Sequence, residues 1–297
     1  GAARRNENAR VSGNFITQTH RDDLGLYQAY IEANAIGDSI FNIKAGRQEL
    51  SYGNKWMLGN QEFYGGASYD ALKGWWDFDR SRLDIFWSKL DEQNTGSGSV
   101  NSTDDDTDLY GAYFAWPEIG TSLVGYDLYA MLIKSNQDGG PQFHDTNYES
   151  WWIGARFYRK PEWGFHFNAE GTYQFGQVSG QPQDLDIEAW GFEGSLGYTW
   201  DVEGNPDLHV GFTYASGDDD PLDNKSKTFA APNQEVHPRL GFADLFAASN
   251  LVAWQVGYAG SWENIAWGVE LLHFETDEQV AATDDELANE VDVWFSY

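Results

Sequence analysis

Cysteine is absent from the 297-residue chain, which removes disulfides, thiolate metal centres and CxxCH haem attachment from consideration. Cations are scarce. Eighteen Lys and Arg stand against 47 Asp and Glu, and the formal net charge of −29 leaves no basic footprint for a phosphate backbone, which excludes nucleic acid as a partner. Long hydrophobic runs are missing too: stretches such as Leu128 to Ile133 fall far short of the roughly 20 residues a membrane helix requires. The opening GAARRNENAR carries no apolar signal-peptide core, so the sequence reads as mature, trimmed or incomplete. Catalytic signatures are equally lacking. No GxSxG elbow, Walker loop or GxGxxG before a helix occurs, and the six histidines, His20, His144, His166, His209, His237 and His273, show neither HxH nor HExxH spacing. An enzyme is not expected.

What the chain has in excess is aromatic residues, 14 Trp, 16 Tyr and 18 Phe, more than a soluble core needs and what interfacial girdles consume. They follow a period of two. In GFHFNAEGTYQFGQ, Phe165, Phe167, Ala169, Gly171, Tyr173 and Phe175 fall on one side of an extended chain, and His166, Asn168, Glu170, Thr172 and Gln174 on the other. Fourteen such segments lie near residues 10–19, 24–36, 39–49, 67–77, 82–91, 107–117, 121–135, 149–159, 163–177, 186–200, 206–217, 249–260, 264–275 and 286–297. Each approximates the nine to eleven or so residues of a tilted strand that crosses a bilayer.

The connections alternate in length. Short turns at Gly37-Asp38, Phe78 to Arg80, Pro117 to Gly120, Lys160 to Glu162, Asp201 to Asn205 and Ser261 to Glu263 interleave with long polar stretches. The long ones are Leu50 to Gly66, Glu92 to Asp106, Asn136 to Tyr148, Val178 to Leu185, Asp218 to Ala248 and Glu275 to Asp285; only His20 to Asp23 breaks the rhythm. Greek-key sandwiches give no reason for this, whereas up-and-down outer-membrane barrels have short periplasmic turns and long extracellular loops. Apolar rows such as Val124, Tyr126, Leu128, Ala130, Leu132 and Trp190, Phe192, Gly194, Leu196, Tyr198 include Gly and Ala where a packed core would demand bulk. Lipid fills such gaps by itself. The expected fold is therefore an all-β transmembrane antiparallel up-and-down barrel, one domain over residues 1–297, of about 14 strands, or 14–18 if the sequence is incomplete. Its place is the outer membrane of a Gram-negative bacterium, against lipid and lipopolysaccharide. A soluble jelly roll is the alternative, and would carry more uniformly charged wet faces.

The wet rows nominate pore-lining residues: Lys44, Arg47, Arg82, Asp84, Asp127, Arg156, His166, Glu170, Glu193, His209 and Glu270. Arg47, Arg82 and Arg156 support two readings, a ladder across the pore from Asp84 and Glu170, or neutralisation of carboxylates on neighbouring strands. His166 and His209 fall on nearby wet rows, with Glu170 or Glu193 as candidate partners. In the long loop, Asp218, Asp219, Asp220 and Asp223 offer oxygens to Ca²⁺ but lack EF-hand spacing and its distal Glu, so a solvated acidic loop is the plainer reading. The run Asp104 to Asp108 reads the same way, and otherwise no cofactor is expected. Leu240 to Ala248 is expected to form a short helical turn over the mouth or into the lumen.

Two stretches carry a family resemblance. IKAGRQELSYGNKWMLGNQEFYGGASYDALK (Ile43 to Lys73) resembles the strand-loop-strand signature of the alginate-export family of outer-membrane porins. YASGDDDPLDNKSKTF (Tyr214 to Phe229), followed by HPRLGFADLF (His237 to Phe246) and SNL (Ser249 to Leu251), resembles that family's long acidic loop and the strand after it. The resemblance implies a monomeric barrel of up to eighteen strands, and a namesake that passes an anionic polysaccharide through a basic lumen. This chain departs on both counts. Fourteen strands fall short of the larger barrel, although EVDVWFSY at residues 290–297 has the aromatic-terminated form of an outer-membrane assembly signal. Its wet rows also carry Glu32, Asp84, Asp127, Glu170, Glu193, Glu270, Glu290 and Asp292 against Lys44, Arg82, Arg156, Arg47 and Lys73. A polyanion would meet poorly screened like charge there. The expected function is a porin for passive diffusion of small hydrophilic solutes or oligosaccharides through a mixed-charge, acid-rich lumen. The alternative is a barrel sheath around a protein partner, a cytochrome or lipoprotein, in an outer-membrane complex.

Overall fold

Only an extended chain sorts alternating residues onto two faces, and long strands are what forms. The computed structural model describes residues 4–5, 24–61, 66–92, 106–118, 124–137, 146–180, 184–237, 239–279 and 285–297. A short pair, β1 (Arg4–Arg5) and β2 (Leu24–Gly25), stands apart from the main sheet. The main sheet begins with β3 (Ala29–Ala33), β4 (Phe41–Gln48), β5 (Tyr69–Asp77), β6 (Arg82–Glu92) and β7 (Asp106–Trp116). It continues with β8 (Gly125–Gln137), β9 (Thr146–Arg159), β10 (Gly164–Ser179), β11 (Leu185–Thr199) and β12 (Asp207–Ala215). After a two-residue β13 (Lys225–Ser226) come β14 (Leu251–Trp262), β15 (Ile265–Glu275) and β16 (Glu286–Ser296). These form one 14-stranded sheet, an antiparallel meander in chain order with β13 laid parallel against the start of β11. Among the described residues β3 and β16 each have one neighbour, so the sheet has two edges. No helix among them is long and apolar enough to cross a membrane.

Thirteen of the fourteen expected segments coincide with strands of this sheet, and the segment at 10–19 lies outside the described residues. The 24–36 segment divides into β2, β3 and a 3-10 turn at Ile36–Asp38, because Ala35 (φ 51°) and Gly37 (φ 64°) are left-handed and cannot continue a strand. In a meander, alternate connections share a rim. The short links at 78–81, 160–163, 200–206 and 263–264 all fall at one end, and the long links at 49–68 and 216–250 at the other.

One face of the sheet is an apolar belt. Leu72, Ile85, Leu128, Phe157, Leu196, Val256, Leu271 and Val293 are all exposed, as are Ile153 at 47%, Trp190 at 57% and Phe165 at 61%. A water-soluble monomer rarely presents so large a contiguous patch, and protein does not enclose the Phe165 row.

The other face is covered by the chain's own long connections. Alternation predicts a wet inner face, yet Phe86, Leu109, Met131, Trp152, Leu272 and Phe274 are buried toward the long-loop side. Leu50, Trp56, Met57 and Leu58 after β4, and Phe229, Leu240 and Ala248 after β12, fold inward and complete a dry core with them. Trp56 stacks on Phe229 with ring centroids 6.0 Å apart, and Leu58 bridges Asn233 in parallel. The sheet must curl around these segments. The Trp152 indole of β9 donates to the Ala230 carbonyl (3.0 Å), the Ala230 N–H donates to Gln174 of β10 (2.9 Å), Asn233 bonds Tyr69 of β5, and the Phe242 N–H donates to Asp292 of β16 (3.0 Å).

Ile153 sits midway along β9 on the exposed belt, and Phe165 near a strand end. Ile153→Arg is expected to cost about 2–4 kcal/mol and Phe165→Arg about 0–1 kcal/mol, as depth in hydrocarbon dictates. Denaturant unfolding from lipid vesicles checks this; equal costs at the two positions would mean that this face does not span a bilayer.

Candidate transport pathway

The interior is organised around Glu193 of β11. Its carboxylate accepts hydrogen bonds from Asn54 Nδ2 in the first inward segment (2.6 Å), from Asn168 of β10, and from Arg239 in the second inward segment. Both members of the Arg239–Glu193 pair are nearly enclosed, with side chains 12% and 8% exposed. Such a pair persists only when its remaining donors and acceptors are also met. Arg239 also donates to the Glu235 carbonyl, and Lys55 pairs with the Glu235 carboxylate at 3.1 Å. Backbone bonds Gly59 N–H to Asn233 O (2.8 Å), Asn233 N–H to Met57 O (3.1 Å) and Glu235 N–H to Lys55 O (3.0 Å) join the two segments into one interior unit.

Around this clamp the wall carries three polar groups. Beside Glu193, Arg156 of β9 pairs with Asp127 of β8 (3.0 Å), donates to Asn168 (2.6 Å) and stacks over Tyr158. Glu170 lies in register between Arg156 and Glu193; its Oε1 accepts from Tyr129 (2.8 Å) and its Oε2 has no hydrogen-bond partner. On β3 to β6, Lys44 pairs with Glu32 (3.2 Å), and Asp84 receives Arg82 (2.6 Å), Lys73 (3.6 Å) and the Tyr52 hydroxyl (3.1 Å). Burial pushes the pKa of that Tyr52 hydroxyl well above its ordinary value, so it stays protonated and remains a donor. On β10 to β15, His166 Nε2 lies 2.6 Å from Asp207 Oδ2, His209 Nδ1 2.8 Å from Asp207 Oδ1, and His209 Nε2 3.2 Å from Glu270. Gln255 donates to the same Glu270 oxygen at 3.0 Å.

Ten of the eleven nominated residues thus lie on the inner face, in these groups. Arg47 is the correction: it alternates out of phase with Lys44, on the outer row, where it meets Asp70 through two bonds of 2.9 and 2.6 Å near the long-loop rim. Water at a rim lets an ion pair occupy a lipid-facing row. The two histidines do not meet Glu170 or Glu193, and use Asp207 and Glu270 instead. Arg82 and Arg156 find their carboxylates on their own or an adjacent strand, as Arg47 does, which fits local neutralisation rather than a ladder across the lumen.

The acidic loop also resolves into local bonds. Lys227 binds Asp219 and Asp223, and its hydrogen bond holds the Asp219 carboxyl below the usual carboxylate range. Asp218, Asp220 and Asp223 each accept a backbone N–H from two residues on, at 3.2, 3.1 and 2.7 Å. Among the described residues no group of three or more His, Cys, Asp and Glu is placed to hold a metal ion. The expected helical turn at Leu240 to Ala248 is irregular chain with a turn at Phe242-Ala243; Gly241 (φ 87°) and Asp244 (φ 52°) are left-handed, which no right-handed helix accommodates. The N–H groups of Phe242 and Ala243 point instead at Asp292 (3.0 Å) and Glu290 (2.8 Å).

Arg239, Asn54, Lys55, Glu235, Asn168 and Asp207 were not singled out from sequence. The available signal was chemical: Lys55 is the one cation of the 49–68 link, Arg239 follows Lys225 and Lys227 in the 216–250 link, and a buried carboxylate needs such partners.

Long paired strands, an apolar belt and a polar interior crossed by the chain itself define a transmembrane β-barrel of the bacterial outer membrane, where it contacts membrane lipid. The family model for alginate export matches residues 3–266, and the chain belongs to that family, a family of outer-membrane export and transport channels. No curated protein matches it.

Glu193→Gln removes the hydrogen-bonded counter-charge of the enclosed Arg239, a loss of about 3 kcal/mol. Amide hydrogen exchange over residues 239–243 should quicken by roughly a hundredfold while the strands stay protected. Unchanged exchange would show that other contacts hold the second inward segment.

Proposed function

We propose that this chain is a passive outer-membrane porin for small hydrophilic solutes, neutral or cationic, with its long connections facing the exterior. The observation that carries the reading is the Glu193 clamp, which holds two inward segments across the interior and so narrows whatever path remains. The inner face toward the short turns supports a wet passage: His166, Asn168, Ser195, Asp207, His209 and Gln255 are only half-buried there.

The filter is the set of inner-face charges, Lys44, Arg82, Asp84, Asp127, Arg156, His166, Glu170, Glu193, His209 and Glu270, joined by Asp207 and by the Glu290 and Asp292 pair. Most of the cations among them are already bound to carboxylates, so few remain to attract an anionic polymer. That supports small solutes over a polyanion as the permeant. The interior is filled at one level by the chain's own residues, which favours a channel over a sheath around a cytochrome or lipoprotein.

In planar bilayers the protein should conduct with a reversal potential favouring cations, and Asp207→Asn with Glu270→Gln should move that potential toward anions. Replacing residues 229–243 by a Gly-Ser linker should raise single-channel conductance severalfold. An anion-favouring wild type would overturn the acid-rich filter, and no conductance before or after loop replacement would overturn the channel.

A further inference from the structure

The outer rows of β8, β9 and β10 change character along their length. At mid-height an apolar trough of about 730 Å³ opens on the exposed face, floored by Ala130, Ala155 and Gly171 and walled by Tyr173, Trp190 and Phe192. The Tyr173 and Trp190 rings stand 4.3 Å apart and close one side. Farther toward the long-loop rim Trp151 and Phe175 stack, 6.4 Å between centroids. Beyond them, on the same outer rows, a second cavity of about 400 Å³ is lined by Lys134, Asn136, Asn147, Glu149, Gln177 and Ser179.

The register sets the two cavities on one line: Ala130, Ile153 and Tyr173 are neighbours across the three strands, and so are Lys134, Glu149 and Gln177. Gly171 to Gln177 is six residues, roughly 20 Å of strand, or about 14 Å along the membrane normal at a tilt near 45°. That matches half of the roughly 30 Å hydrocarbon layer. When the polar cup sits at headgroup level, the trough therefore reaches the bilayer middle.

The cup has a definite chemistry. Three amides and a hydroxyl present donors and acceptors of the kind sugar hydroxyls take. Lys134 supplies an exposed ammonium, and across from it Glu149 accepts the Trp151 indole N–H at 3.0 Å; no ion pair joins Glu149 to Lys134 among the described residues. The surrounding surface is the lipid-facing belt, so the trough continues an interface already committed to acyl chains.

We propose that the β8–β10 outer wall is a binding site for a phosphorylated glycolipid of the lipid A class, one acyl chain lying in the trough and the head seated in the cup with a phosphate on Lys134. The site is independent of the conductance pathway, which uses the opposite row of the same strands.

Native mass spectrometry of the full chain, delipidated in detergent and then offered lipid A or phosphatidylglycerol, tests this. Lipid A should be retained one per chain and in preference to phosphatidylglycerol. Lys134→Ala should weaken retention about fivefold, the worth of one surface cation toward an anionic lipid. Ala130→Phe with Ala155→Phe, which fills the trough, should abolish it, and all variants should conduct as wild type does. Equal retention of the two lipids, retention unaffected by both variants, or a dimer of this chain in place of a lipid adduct would each overturn the proposal.

Discussion

Hydrocarbon offers no hydrogen-bond partner, so each backbone N–H and C=O that enters it must be paired within the protein. An antiparallel meander meets that demand with neighbours that are adjacent in sequence, and here the pairing runs unbroken for fifteen partners between β10 and β11. The length of the strands follows from the thickness to be crossed. The alternation of their side chains follows from the pleat, which gives one row to lipid and the next to the interior. Once that is fixed, the connections can only lie at two rims, and only those long enough to turn back can influence the lumen.

Among the described residues two connections turn back, and their packing shapes the interior. Half of the inner face is apolar and closed by Leu50, Trp56, Leu58, Phe229 and Leu240; the half toward the short turns stays polar and partly open. The boundary is marked by Glu193, whose donors come from a wall strand and from both inward segments. A hydrophobic core alone would tolerate sliding, whereas a buried carboxylate with three donors has one satisfactory geometry. The inward segments are thus positioned by a polar contact and stabilised by apolar ones around it. A net charge of −29 consequently overstates the charge of the interior, because Asp84, Asp127 and Glu193 are matched locally while many of the remaining acids lie in connections and at rims.

The wall was legible from sequence because its rule is local: Phe165, Phe167 and Tyr173 differ from their neighbours at every step, and thirteen segments could be placed from that contrast. The same rule misled at its margins. Arg47 is polar and sits in a strand that also carries Lys44, yet its odd spacing from Lys44 puts it on the outer row, where the rim and Asp70 accommodate it. The interior was only partly legible. Trp152 and Met131 lie on inner rows that Trp56, Met57 and Phe229 cover, and no periodicity announces which loop residues fold inward. Leu240 to Ala248 shows the limit from the other side: its composition suits a helical turn, but left-handed Gly241 and Asp244 and the pull of Glu290 and Asp292 on two N–H groups settle an irregular course.

The two faces of each strand answer to different partners, so they can change independently. A substitution on the inner row, at His209 or Glu270 for instance, alters the interior field without touching the outer surface made by Val210 or Leu271 beside it. The reverse holds for Ala155 and Arg156, adjacent in sequence and opposed in direction. Membership in a family of export channels therefore constrains the barrel and its insertion far more tightly than it constrains the permeant. The fold supplies rows of alternating positions, and the inner row can change its charges without disturbing the outer row that meets lipid.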